Sequence, residues 1–157
     1  MTLVDEYLDA RRGEDVARMR RSVALRAMLA TGMSQREVAD ELGVSQSAVS
    51  QQLRSTPDPA EADPAMVLQA AAPVLKALAR ERGFSRLAVF GSVARQESSP
   101  GSDIDLLVKA PKGTSSFDLV RFQQLVEKVL GHRVDVVEYG GLKAGIDDDI
   151  RREAVLL

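Results

Sequence analysis

Three aspartates and one glycine-serine pair are the residues of this chain whose types and spacing suggest chemistry. Asp103 and Asp105 bracket Ile104 in the run SDIDLLV, where Ile104, Leu106 and Val108 share the opposite alternation. A period of two marks a strand with one buried face, so both carboxylates project from the other face. Adjacent like charges on a sheet repel and cost stability, which argues against a purely structural role unless the pair frames a hydrogen-bonded turn. A divalent cation resolves the repulsion. Magnesium prefers hard oxygens and takes one or two carboxylates together with phosphates and water. Farther on, HRVDVVEYG gives a strand in which Val134 and Val136 share one face and Asp135 opposes them. Lateral pairing of the two strands would set Asp135 beside the first two and complete a metal triad. Glu138 is a weaker third ligand, because a regular strand puts it on the Val134 face and only a bulge would reverse that.

Ten residues separate Gly91-Ser92 from Asp103, and an apolar strand over 86–90 runs into that pair. A second strand starts at Asp103, so two strands flank a polar excursion that includes Arg95, a residue suited to a surface ion pair.

The elements that must hold these residues are legible from periodicity. Residues 64–82 read as a helix, with Pro64 in its first turn, Val67, Leu68, Ala71, Leu75, Leu78 and Ala79 on one side, and Gly83 ending it. The run 115–131 reads as another, with Phe117, Val120, Leu125, Val129 and Leu130 toward the core. His132, the single histidine, reads as a loop or capping residue, and Lys109, Lys112 and Lys143 as solvated charges. Asp147-Asp148-Asp149 suits the start of a further helix, where negative charge complements the dipole.

Ahead of these lies a different kind of sequence. Pro57, Pro59 and Pro64 fall within STPDPAEADP, which cannot continue a helix or a central strand and reads as a semi-extended linker. The division is then 1–56, a linker at 57–63, and 64–157. In the first part, a helix over 16–30 carries Val16, Met19, Val23, Ala27 and Ala30, and Gly32 stops it. Ser34 with Glu37 is a capping-box pattern for a second helix to about residue 42; Gly43 turns the chain, and Ser45 caps a third helix to about Arg54. Val38, Leu42, Val44, Val49 and Leu53 are expected to form its interior.

The segment 35–54 resembles the helix-turn-helix of bacterial repressors. That resemblance implies that Gln46, Ser47, Ser50, Gln51 and Arg54, on the outward face of the last helix, enter the major groove of DNA. From Arg18 to Arg54 there are six arginines against three acids, a modest local excess, so one copy should bind weakly and useful operator affinity calls for a dimer.

The whole chain has 157 residues, 21 Lys+Arg against 23 Asp+Glu, 45% hydrophobic and 28% charged residues, and no cysteine. Disulfide scaffolds, thiolate metal sites and thiol nucleophiles are excluded, and no apolar run approaches the roughly 18 residues of a membrane span. With no apolar leader at the start, the expectation is a cytoplasmic protein.

Gly91-Ser92, ten residues, then Asp103-Ile104-Asp105 is similar to the signature of the nucleotidyltransferases related to DNA polymerase beta. More narrowly, FGSVAR, SDIDLLV, the later VDVV and the ending DDDIRREAVLL resemble the minimal nucleotidyltransferase (MNT) family over nearly all of 64–157. The fold class implied is α/β of the α+β kind, an all-α helix-turn-helix followed by a small mixed-sheet transferase. The resemblance further implies that Gly91, Ser92 and Arg95 bind the phosphates of ATP or another NTP. Asp103, Asp105 and Asp135 would hold Mg2+ or Mn2+ and carry catalysis, with Asp135 able to help deprotonate an acceptor hydroxyl. Members of this family are commonly antitoxins that attach AMP to a hydroxyl of a toxin such as a HEPN ribonuclease. The expectation is therefore an AMP-transferring antitoxin that also represses its operon, acting as a homodimer or as a hetero-oligomer with its toxin. Two other readings stay open: a transcriptional regulator with an inactive or nucleotide-sensing transferase-like half, and an enzyme acting on RNA or a small molecule.

Overall fold

The computed structural model describes all residues, Met1–Leu157. Helix α1 spans Leu3–Ala30. It begins well ahead of the expected residue 16 because Thr2 and Asp5 form a capping box, each side chain bonding the other's backbone N–H. The turns it adds are exposed on all sides, although Leu3, Val4, Tyr7 and Leu8 recur there at helical spacing, so their pattern marks the helix without marking a buried face. Helices α2 (Gln35–Leu42) and α3 (Gln46–Ser55) start at Ser34 and Ser45, whose hydroxyls accept the Glu37 and Ala48 N–H groups. Between them Gly43 sits at φ 68°, the left-handed turn that lets α3 cross α2.

Val38, Ala39 and Val49 pack with Leu25 of α1, and Met28, Leu29, Met33 and Leu53 close around them. Leu42 and Val44, expected in this interior, are instead 48% and 40% exposed. They flank the Gly43 turn, which faces outward, and α1 supplies the apolar surface in their place.

The segment 57–63 was expected to be a semi-extended linker, but it folds into a 3-10 turn at Pro59–Glu61 and is held on several sides. The Ser22 hydroxyl of α1 donates to the Pro57 carbonyl at 2.8 Å, Arg26 pairs with Asp58 at 3.5 Å, and His132 Nε2 lies 2.7 Å from the Pro59 carbonyl oxygen. Proline denies these residues a place in helix or sheet ladders but leaves their carbonyls free as acceptors, and neighbouring elements use them.

Helix α4 (Pro64–Glu81) leads to strand β1 (Ser85–Phe90), the single turn α5 (Gly91–Ala94), strand β2 (Ile104–Lys109), helix α6 (Ser116–Leu130), strand β3 (Val134–Glu138), helix α7 (Asp148–Glu153) and strand β4 (Val155–Leu156). The sheet order is β3-β2-β1-β4; β2 and β3 are parallel, with α6 as the crossover, and β1 is antiparallel to both β2 and β4. The chain is thus α+β, a helical region with a helix-turn-helix followed by a mixed four-stranded sheet with helices.

One face of the sheet, carrying Leu87, Val89, Ile104, Leu106, Val108, Val134 and Val136, is covered by α4 and α6, and the second half of α1 packs on those two helices. Met19, Val23 and Ala27 of α1 lie in this same continuous core, so one helix lines both the helix-turn-helix interior and the sheet core. Within α6 the buried residues are Phe122, Val126, Val129 and Leu130, with Phe122 stacked on Phe84 at a centroid separation of 4.5 Å. Phe117 and Val120, expected to face inward, are 76% and 48% exposed, because the face that meets the sheet is set by Phe122 and Val126. The opposite face of the sheet is narrower: Ala88, Phe90 and Leu107 pack with Leu142, Ile150 and Ala154. No helix is long and apolar enough to cross a membrane.

Gly131 tolerates no side chain without movement of its neighbours. It sits at φ 69°, and a Cβ there would lie 2.8 Å from the Ala60 Cβ and 2.9 Å from its backbone nitrogen. Gly131→Ala is therefore expected to lower the unfolding free energy by roughly 2 kcal/mol or more, as strain and displacement of segment 57–63 combine. Urea denaturation measures this; a change within about 0.5 kcal/mol would show that the segment is not held where α6 ends.

Candidate active site

The site lies at one end of the narrower sheet face, and strand register builds it. Antiparallel pairing sets Phe90 opposite Asp105, so the chain leaves β1 for Gly91 beside that aspartate. Parallel pairing sets Asp105 opposite Asp135, and residues on one rung of a sheet point to the same side. Asp103 stands just before β2, exposed, two residues from Asp105. Glu138 pairs with Val108 three rungs farther on, on the face turned toward the main core, and β3 stays in register throughout. The register therefore groups Asp135, not Glu138, with Asp105.

Gly91 has a second, steric reason to be glycine. It adopts φ 74°, and a Cβ there would fall 2.1 Å from Asp105 Oδ2. No other side chain could occupy the turn without driving Asp105 from its place.

The electrostatics follow from this crowding. Burial first, then the charges of Asp135 and Asp103, hold the Asp105 carboxyl above the usual carboxylate range; Arg95 opposes them and Glu153 adds to them. The three aspartates stand as neighbours without closing into a ready-made three-ligand cage. An open set of hard, anionic oxygens with mutual repulsion fits a divalent cation whose remaining positions are filled by phosphate and water. Asp105, Asp135 and Asp103 are the residues that would hold such an ion.

Arg95, at the end of α5, is engaged on both sides: its Nε donates to Glu97 and its NH1 to Glu153, each at 3.0 Å. Glu153 also accepts the Gly91 N–H at 2.9 Å. The sequence reading missed Glu153 altogether. Its only signal was the acid before AVLL, the stretch that turns back as β4 to pair with β1. Ser92 follows Gly91 in the turn and is half-buried. The lysines lie elsewhere: Lys109 pairs with Ser85 at the far end of β2, and Lys112 and Lys143 follow in exposed loops.

In the helix-turn-helix, Gln46, Ser47, Gln51 and Arg54 are exposed along α3, and Ser50 is half-buried, its hydroxyl accepting from Arg54 at 2.8 Å. They form one polar face, opposite the buried Val49.

A glycine turn beside strand-borne aspartates, on a mixed sheet of this topology, defines an enzyme that transfers nucleotidyl groups. The chain belongs to the nucleotidyltransferase domain family, whose model matches residues 73–157. A helix-turn-helix family model matches residues 25–60. The family brings with it a nucleoside triphosphate substrate and a divalent metal ion. The chain is similar to "Protein adenylyltransferase MntA" of Thermococcus cleftensis, 39% identical over 77 residues that span 48% of this chain and 78% of that protein. A Methanocaldococcus jannaschii protein named "Putative protein adenylyltransferase" is 44% identical over 75 residues, 48% of this chain and 81% of its own length. Among solved structures, "Structure of putative minimal nucleotidyltransferase" superposes with a TM-score of 0.54 at 38% identity, covering 59% of this chain and 95% of that one.

The raised Asp105 pKa has a consequence for stability. Because the folded carboxyl binds its proton more tightly than the unfolded one, the cost of its charge is full above the folded value and is relieved as pH falls through it. Asp105→Asn in a chelating buffer is expected to melt a few degrees higher than the parent at neutral pH, by about 1–4 °C given partial solvent screening. The gain should shrink as pH drops into and below the carboxylate range. Thermal melts across pH test this, and a variant less stable at neutral pH would mean that Asp105 is held by compensating partners.

Proposed function

We propose that this protein is an antitoxin that transfers AMP from ATP to a hydroxyl side chain of its partner toxin, and that it represses its own operon through the helix-turn-helix. The observation that carries the reading is the shared rung of Asp105 and Asp135 beside the Gly91 turn. The names of its relatives, protein adenylyltransferases, support a protein as acceptor. The resemblance to the MNT family supports a toxin, such as a HEPN ribonuclease, as that protein. Within 64–157 the elements are the sheet and its covering helices, and we read the acceptor as a macromolecule that completes the site.

The Gly91 N–H, the Ser92 hydroxyl and Arg95 hold the triphosphate by hydrogen bonds to its anionic oxygens. The acceptor oxygen attacks the α-phosphorus in line, the bond to the bridging oxygen breaks, and pyrophosphate departs. Asp135, exposed on β3, takes the proton of the attacking hydroxyl. Magnesium, held by Asp103, Asp105 and Asp135, would neutralise charge on the attacking and leaving oxygens when bound.

On the DNA side, Gln46 and Gln51 suit bidentate contacts to adenine, while Ser47, Ser50 and Arg54 reach bases or phosphates. The modest basic excess calls for two copies on one operator, so we assign a homodimer, with a hetero-oligomer forming when toxin is present. The parts 1–56, 57–63 and 64–157 are then functional divisions that share helix α1 as a common structural member. The working compartment is the cytoplasm, where ATP, toxin and operator coexist.

Asp103→Ala and Asp105→Ala are each expected to reduce transfer of labelled AMP to the toxin at least about a hundredfold while operator binding is retained. Gel autoradiography with the co-expressed toxin and fluorescence anisotropy with promoter DNA measure the two functions. A parent protein that binds the operator and labels nothing would leave only a DNA-binding regulator. Conversely, Gln51→Ala should weaken operator binding by about 1–3 kcal/mol without affecting labelling.

A further inference from the structure

The phosphate-binding turn already holds an anion, and the chain supplies it. Glu153 at the end of α7 sets Oε1 on the Gly91 N–H at 2.9 Å and Oε2 on Arg95 NH1 at 3.0 Å. A carboxylate that accepts from a backbone amide with one oxygen and a guanidinium with the other makes the same pair of contacts that two oxygens of a phosphate would make. We propose that Glu153 is an internal stand-in for nucleotide phosphate, occupying these two donors in the free enzyme and surrendering them to the incoming triphosphate. The proposal rests on the assignment of Gly91 and Arg95 to the triphosphate and adds the residue that competes for them.

The surroundings of Glu153 suit an exchangeable group on a fixed base. Its backbone is anchored on both sides: Ile150 and Ala154 pack against Phe90 and Leu107, and Val155 pairs with Val89. The side chain, 24% exposed, can swing away by rotation about its own bonds without unwinding α7 or detaching β4. It also stands among like charges, since Glu153 is one of the groups that disfavour ionised Asp105. A polyphosphate arriving with its cation would thus meet a side chain already repelled by the aspartates. Glu97, the other partner of Arg95, pairs with the guanidinium alone, so it does not share this role.

Two consequences distinguish a displaced counter-anion from a merely structural ion pair. Neutralising Glu153 should tighten binding, because triphosphate no longer has to evict a charge, and the gain should be confined to ligands that carry phosphates. The experiment uses the full chain with magnesium, titrating a non-hydrolysable ATP analogue, inorganic triphosphate and adenosine by calorimetry. Glu153→Gln is expected to bind both phosphate ligands about tenfold more tightly than the parent, with adenosine affinity unchanged. Glu153→Asp, which keeps the charge but is too short to span both donors, should shift in the same direction by less. Glu97→Gln should shift the phosphate ligands less than Glu153→Gln does. Equal or weaker binding of the phosphate ligands by Glu153→Gln would overturn the proposal, as would a gain that extended equally to adenosine. If the parent binds triphosphate and Glu153→Gln fails to tighten it, only this inference falls. If neither protein binds triphosphate at all, the assignment of the turn to phosphate falls with it.

Discussion

The register between β2 and β3 is the constraint on which the rest of the chemistry depends. It sets Asp105 and Asp135 on one rung, at the end of the sheet where Gly91 gives up its side chain to make room. A one-residue slip would turn Asp135 toward the core and expose Val134 and Val136, so hydrophobic burial enforces an arrangement that electrostatics alone would reject. The sheet core, fully buried at Ile104, Leu106, Leu107 and Val108, supplies the stabilisation against which the repulsion is tolerated. Like-charge crowding of this kind is what a site must keep if it is to attract a cation and a polyphosphate together.

Much of this was legible in the residues. Alternation in SDIDLLV and RVDVV fixed the two strands and the outward aspartates, and a stripe of Val67, Leu68, Ala71, Leu75 and Leu78 fixed α4. The serine caps and Gly43 located the helix-turn-helix to within a residue or two. What escaped was everything decided by contacts between distant segments. The first turns of α1 bury nothing, although Leu3, Val4, Tyr7 and Leu8 recur there at helical spacing. Phe117 and Val120 are apolar residues on the solvent side of α6, indistinguishable by spacing from core positions. The proline-rich stretch looked like a spacer because its backbone cannot enter a ladder, yet its carbonyls receive Ser22 and His132 from elements far away in sequence.

Glu153 belongs to the same class of hidden features. Periodicity places it only at the end of a short acidic-headed helix. Its contact with Gly91 spans 62 residues and depends on β4 returning along the edge of β1. The Gly91 turn is therefore assembled from both ends of the sheet region, with the glycine from one end and a carboxylate from the other.

Helix α1 has 28 residues, which at the usual rise makes a rod of about 42 Å. Its second half is embedded at once in the interior of the nucleic-acid reader and in the core beneath the transferase sheet. The two halves of the molecule are consequently keyed to one shaft rather than strung on a tether, and their mutual bearing is set by packing. On the proposed reading, two chains seated on a palindrome would hold their catalytic faces at fixed compass points around the double helix, and the geometry of the promoter would then also dictate where a captured client must stand.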